Sequence, residues 1–285
     1  MMTAMRLLSP RELADALGVS ESSLKRWVDA GKLHAARTEG GHRRISVAEA
    51  LRFIRENGAP VARPELLHMP EVAATGDRSD ATLLAHLQRG DARAARGWVL
   101  ARYLEGEPIA ALCDGPIRNA MHAIGERWKH EADGIYVEHR ATDACIQALA
   151  HLRSTFDPPA NAPVALGATP EDDPYLLPSF MCATVIAAEG MRAVNLGPDT
   201  PVSAMQQAYE HAHPRLVWLS ASSPVAPARA RAIARWLGSL PARTTVAVGG
   251  RQCGAIVAAD PKLRRLDSMT ELAELTRTLL TKPHP

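Results

Sequence analysis

Aromatic residues make up only 4% of this 285-residue chain. With 46% apolar residues overall, Ala and Leu must fill much of the interior. Cysteine is scarce as well. Cys113, Cys145, Cys182 and Cys253 are widely spaced, with no CxxC pair and no zinc-ligand pattern. That argues against a disulfide framework or a zinc module and predicts reduced, mostly buried thiols in a cytoplasmic protein. No apolar run approaches 18 residues and no secretory core is visible, so neither a membrane span nor export is expected. P-loops, nucleophile triads and metal clusters are also missing, which speaks against an enzyme. The net charge of +2 biases the chain toward no class of partner, so the local distribution of charge decides.

That distribution is uneven at the start. Ser9-Pro10-Arg11-Glu12 is a capping box with Pro at the first helical position. Leu8, Leu13, Ala14 and Leu17 follow on one helical face. Gly18-Val19-Ser20 makes a tight turn, and Ser20 caps a second helix that Gly31 stops. Two short helices around a Gly-containing turn are a helix-turn-helix signature. Leu24, Trp27 and Val28 then pack inward, and Ser22, Ser23, Lys25 and Arg26 face a major groove. The stretch KLHAARTEGGHRRIS reads as a hairpin with Gly40-Gly41 at its tip and His42, Arg43 and Arg44 on the returning strand. A basic hairpin in that place is a wing that reaches phosphates. Residues 1–57 carry ten basic against seven acidic side chains, concentrated on the second helix and the wing. Double-stranded promoter DNA is the expected partner. This segment resembles the winged helix-turn-helix of MerR-family regulators, which implies binding as a homo-oligomer, a dimer or tetramer. The long dimerising coiled coil of metal-sensing relatives is not visible after residue 57.

Residues 58–80 hold three Pro and little periodicity, and read as a linker. Helical periodicity governs 81–160, with four helices expected: one from Ala81, one after Asp91, a long one after Glu107-Pro108, and one from Tyr136. Trp128 ends the third helix and Glu138-His139 lie near the start of the fourth, nine residues on. A Trp and a Glu-His pair flanking a Gly-containing break can face each other across a hairpin and cap a bound molecule. The plainer reading is a core Trp with a surface Glu-His.

Strands and helices alternate from 161 to 285, which predicts a flavodoxin-like, doubly wound parallel sheet. The expected fold class is therefore multidomain, α and α/β: winged helix-turn-helix, four-helix bundle and parallel sheet. Ligands of such sheets sit at the carboxyl ends of the strands. Here those ends carry 168–175, Gly197-Pro198-Asp199-Thr200, Ser220-Ala221-Ser222-Ser223 and the Gly249-Gly250 loop with Arg251 and Cys253.

A four-helix bundle before such a sheet resembles the cobalamin-binding module of methionine synthase-like proteins. With the winged head in front, the chain is similar to the cobalamin-based light-sensing MerR regulators of the CarH and LitR type. The resemblance implies that Trp128, Glu138 and His139 line the upper face of a corrin. It also implies that 196–201, the Ser-rich loop and the Gly249-Gly250 loop surround the nucleotide tail. The family's cobalt motif, however, has Tyr175 where its lower-ligand His belongs, and Lys129 follows the Trp in place of a second His. A neutral phenol is a poor cobalt ligand and an ammonium is none. His130 points about 100° away from Lys129 on a helix.

Three sensor readings follow. The favoured one is a photoreceptor holding a bilin, a linear tetrapyrrole that needs no metal ligand. Arg251, Arg140 or His139 would pair its propionates, and Cys182 or Cys253 would attach it, with Tyr175, Ser222 and Trp128 in the same pocket between bundle and sheet. The alternatives are a retained cobalamin and a ligand-free module that mediates oligomerisation. An enzyme would rest on Glu138 and His139 as acid and base alone.

Overall fold

A computed structural model describes residues 7–74, 76–128, 134–156 and 158–281. The chain divides into two compact units: Met1–Pro108 with Pro116–Thr155, and Ile109–Gly115 with Phe156–Pro285. The expected winged head and most of the bundle thus share the first unit.

The head comprises β1 (Leu7–Leu8), α1 (Pro10–Leu17), α2 (Glu21–Asp29), β2 (Ala36–Arg37), β3 (Arg43–Ser46) and α3 (Val47–Asn57). Its helices start where the sequence placed caps. The Ser9 hydroxyl accepts from the Glu12 amide at 3.2 Å and the Glu12 carboxylate accepts from the Ser9 amide at 2.7 Å. The Ser20 and Ser46 hydroxyls likewise accept from the Ser23 and Glu49 amides at the starts of α2 and α3. Gly18 ends α1 at φ 67°, and a Cβ there would lie 2.9 Å from that of Ala62. Only Gly meets both demands. Leu13, Leu17, Leu24, Ile45, Leu51, Phe53 and Ile54 close the core, with Trp27 tilted against Phe53 at 4.9 Å.

Segment 58–80, expected as a linker, is docked. The Ala62 and Arg63 amides donate to the Ala16 carbonyl, and 3-10 helices form at Pro64–Leu67 and Pro70–Ala74. Glu71, 9% exposed, takes the Arg96 guanidinium at 2.5 and 3.1 Å. Pro and low periodicity removed the helical signal, but Leu67 and Met69, both fully buried, supply apolar anchors.

Then come α4 (Asp80–Arg89), α5 (Ala92–Leu104), α6 (Ile109–Leu112), a π-helical turn at Cys113–Ile117, α7 (Arg118–Trp128) and α8 (Gly134–Ser154). Helices α4, α5, α7 and α8 pack as the bundle. Small buried residues, Ala95 and Ala101 on α5 and Ala141, Ala144 and Ala148 on α8, bring those two helices close, which suits the shortage of aromatics. The long third helix expected after Pro108 is broken. Pro116 has no amide to donate and its ring crowds the preceding turn, so the wider π turn intervenes. The residues before it belong to the second unit, where the Asp114 carboxylate accepts from the Met269 and Thr270 amides at 2.8 and 2.9 Å.

The second unit continues with β4 (Val164–Ala168), α9 (Leu176–Ala188), β5 (Arg192–Asn195), α10 (Val202–Ala212), β6 (Leu216–Ser220), α11 (Pro227–Gly238), β7 (Thr245–Gly249), α12 (Gly254–Ala259), β8 (Arg264–Arg265) and α13 (Met269–Thr281). The sheet is parallel with order β5-β4-β6-β7-β8. One face buries Val217, Leu219 and Val248 with Ile233, Leu237 and Ile256. The other buries Ala165, Leu216, Trp218 and Ala247 with Ile186, Leu272 and Leu275. This is the doubly wound sheet expected. The short α12 and β8 were not.

Candidate functional site

On the head, Ser22, Lys25, Arg26 and His42 are exposed and Ser23, Arg43 and Arg44 half-buried. Ser20 holds the Ser22 and Ser23 hydroxyls at 2.8 and 3.0 Å, and Ser23 in turn accepts from Arg26 at 3.2 Å. The start of α2 is thereby fixed before any contact. Arg43 is tied back to Asp29 on α2 at 2.6 Å, so it braces the wing against the helix. Arg37 is exposed on β2 and pairs across the wing with Arg43. It was missed because it precedes the Gly40-Gly41 tip, away from the His-Arg-Arg cluster.

The remaining candidates fall in different units. In the first, Glu138 and His139 start α8. Glu138 is turned inward and accepts from the Thr142 hydroxyl at 3.0 Å, whereas the His139 side chain is 75% exposed, 3.5 Å from Glu138. Arg140 donates to the Gln88 carbonyl at 2.6 Å and lies so close to Gly90 that a Cβ there would be 2.2 Å from its Nε. A second nitrogen of the same guanidinium donates to the Tyr136 hydroxyl at 3.3 Å, so Arg140 is engaged within the first unit. Trp128 ends α7, but its side chain lies outside the described residues, as do Lys129 and His130.

In the second unit the loops at the carboxyl ends of the strands are stitched together. The Asp173 carboxylate, 1% exposed, accepts from the Ser222, Ser223 and Tyr175 amides at 2.5, 3.0 and 3.2 Å. Its backbone accepts from the Asp199 amide at 2.9 Å. The Arg251 Nε donates to the Ser222 carbonyl at 2.9 Å, and its guanidinium stands 5.2 Å over the Tyr175 ring. Gly250, at φ 95°, packs on the Ala221 backbone so tightly that a Cβ would lie 2.3 Å from its carbonyl oxygen. Tyr175, Ser222 and Arg251 therefore share one edge, with Tyr175 39% exposed.

Cys182 and Cys253 do not join them. Cys182 lies in the core beneath one face of the sheet, 3.8 Å from the Met269 sulfur, and burial pushes its thiol up to about 12. Cys253 lies beneath the other face, 2% exposed, and burial raises its thiol too. Thiols so held are protonated and inaccessible, which removes both as attachment points. Helical phase alone did not tell which way they face.

Residues 7–58 match a helix-turn-helix domain family and residues 80–153 a B12 binding domain family. The chain thus carries, in this order, a segment similar to helix-turn-helix domains, a segment similar to B12 binding domains and a parallel five-stranded sheet. The chain is 25% identical over 222 residues to the HTH-type transcriptional repressor CarA of Myxococcus xanthus, covering 74% of this chain and 75% of that protein. In structure it is similar to the monomethylamine corrinoid protein of Methanosarcina barkeri, with TM-score 0.53, 15% identity and coverage of 69% of this chain and 96% of that one. Neither the bilin preferred on sequence nor a photoreceptor role gains support from these likenesses. Cobalamin, the alternative, fits better. Among the described residues no helix is long and apolar enough to cross a membrane.

The edge tests that fit directly. Tyr175 supplies a neutral phenol, Asp173 is consumed by three amides, and the nearest thiols are buried. No side chain of this edge suits cobalt. These residues do not fit a protein-ligated cobalt.

Proposed function

We propose that this chain is a DNA-binding transcriptional regulator, a repressor by its likeness to CarA, whose second module senses a cobalamin-type corrinoid. The observation that carries it is the joint occurrence, in one chain that is similar to that repressor, of a helix-turn-helix segment followed by a B12-type segment. Lys25, Arg26, His42 and Arg44 are the DNA-facing set, with Arg37 added. Tyr175, Ser222 and Arg251 form the ligand-facing edge of the α/β unit, and the family resemblance alone assigns a ligand-binding role to Trp128, Glu138 and His139. Nothing in this assignment requires turnover, so the chain is read as a regulator and not an enzyme.

Regulation works through assembly in this reading. A homo-oligomer, dimer or tetramer, binds paired half-sites, and linked heads multiply affinity, so a modest ligand effect on assembly moves promoter occupancy strongly. The test is fluorescence anisotropy with DNA from upstream of the chain's own coding sequence, titrated with protein with and without hydroxocobalamin or adenosylcobalamin, in the dark and after illumination. A corrinoid-dependent change in affinity is expected. Equal affinity under all conditions overturns the sensor reading, and no binding above that of random DNA overturns the regulator reading.

A further inference from the structure

Resting on the corrinoid reading, we propose that Trp218 closes the interior of the α/β unit, so that this edge accepts only a corrinoid whose nucleotide base stays on its own cobalt. A nucleotide tail has three routes inward from the strand ends: between the loops, or beneath the strands on either face of the sheet. The loops are joined by the Asp173 carboxylate to both serine amides, by Arg251 to the Ser222 carbonyl and by Gly250 against Ala221. Leu219, Val248 and Cys253, each at most 2% exposed, fill the face toward α11 and α12. On the face toward α9 and α13 stands Trp218, two residues before the end of β6 and 2% exposed.

The indole is locked there. It packs against Gly167 of β4, where a Cβ would fall 2.0 Å from the ring. Its Nε1 donates to the Ser179 hydroxyl at 3.1 Å, and Ser179 donates to the Asn195 side-chain oxygen at 2.8 Å, which also accepts from the Gly197 amide at 3.2 Å. With its one polar atom satisfied, the ring has no reason to vacate the space. Tyr175 and Trp218 thus agree: no side chain at 175 suits the metal, and no space beneath the edge takes a base that has left it. A cobalamin kept base-on answers both, since its own nucleotide nitrogen remains the lower ligand.

The experiment uses the full chain labelled uniformly with 15N and unlabelled hydroxocobalamin. After one-electron reduction of the bound cofactor to cob(II)alamin, the electron paramagnetic resonance signal reports the lower ligand. A 14N nucleus splits each line in three, and a 15N nucleus of the protein splits it in two. We expect a base-on absorption spectrum and threefold splitting. The same result is expected for Tyr175→His, an exposed site, because the displaced base still has nowhere to go. Twofold splitting or a base-off spectrum in the wild type overturns the inference while leaving the corrinoid reading intact. Conversion of Tyr175→His alone to twofold splitting overturns the role of Trp218. If hydroxocobalamin does not bind at all, both readings fall together.

Discussion

Asp173 holds three strand-end amides with one carboxylate, and its removal leaves buried donors without partners. Asp173→Ala is expected to destabilise the chain by roughly 2–4 kcal/mol, because the buried Ser222 amide loses about 1–3 kcal/mol and the part-buried Ser223 and Tyr175 amides lose less. Chemical denaturation checks this, and a loss under about 1 kcal/mol would mean water replaces the carboxylate. His151 is the corresponding pH-sensitive residue of the first unit. Burial, chiefly, lowers its pKa, with Glu71 opposing the shift, Arg96 adding to it and His68 acting in both directions through its charge and its backbone. A histidine depressed in the fold contributes stability that is complete above its unfolded value, near pH 6.5, and is lost as pH falls through its folded value. His151→Gln should therefore flatten the decline of melting temperature between pH 7 and 5. An unchanged slope assigns that decline elsewhere. Neither residue stood out in the sequence: Asp173 was visible only as part of a cobalt motif, and nothing local marks His151 as half-buried. Tyr175, Ser222 and Arg251 were legible because parallel topology places strand-end loops on one edge, whereas the packing of Trp218 across Gly167 joins residues from two strands and leaves no periodic trace.

Among the elements, α1 to α3 were readable almost to the residue because their signals are local: a cap, an apolar stripe, a Gly stop. The broken helix before α7 shows the opposite case. Apolar spacing runs on through Gly115-Pro116, and only the missing Pro amide betrays the interruption. The head and bundle meet through α3 and α5. The Arg55 guanidinium lies 3.8 Å over the Tyr103 ring and donates to the carbonyls of Tyr103 and, at 3.0 Å, Glu107. The Tyr103 carbonyl belongs to the last turn of α5, where a cation also meets the negative end of the helix dipole. For α2 the prediction is electrostatic. Arg26→Ala should reduce the slope of log affinity against log salt by about 0.9, the value of one neutralised phosphate. An unchanged slope would remove Arg26 from the DNA face, and Arg43→Ala, by loosening the wing from Asp29, should weaken binding through geometry as well as charge.

Across the whole molecule, the two compact units are not consecutive in sequence. Residues 109–115 leave the first unit to join the second, and the Asp114 carboxylate caps the start of α13. A cut at 160/161, where composition suggests a boundary, strands that segment on the wrong piece. Fragment 161–285 should consequently melt lower and over a broader range than the same unit within fragment 81–285. Equal midpoints by calorimetry would show that the donated segment contributes nothing. Sequence patterns could not reveal the exchange, since hydrophobic periodicity reports that a helix has an apolar face and not which partner covers it.

The same donation sets a timetable for synthesis. Asp114 reaches Met269 across 155 residues, and at about 5–20 residues per second a ribosome needs roughly 8–30 s to deliver the second partner after the first. Throughout that interval Ile109, Leu112 and Cys113, all buried in the finished protein, wait uncovered on the nascent chain. The chain therefore offers chaperones a defined window, and slowing translation downstream of residue 115 lengthens it.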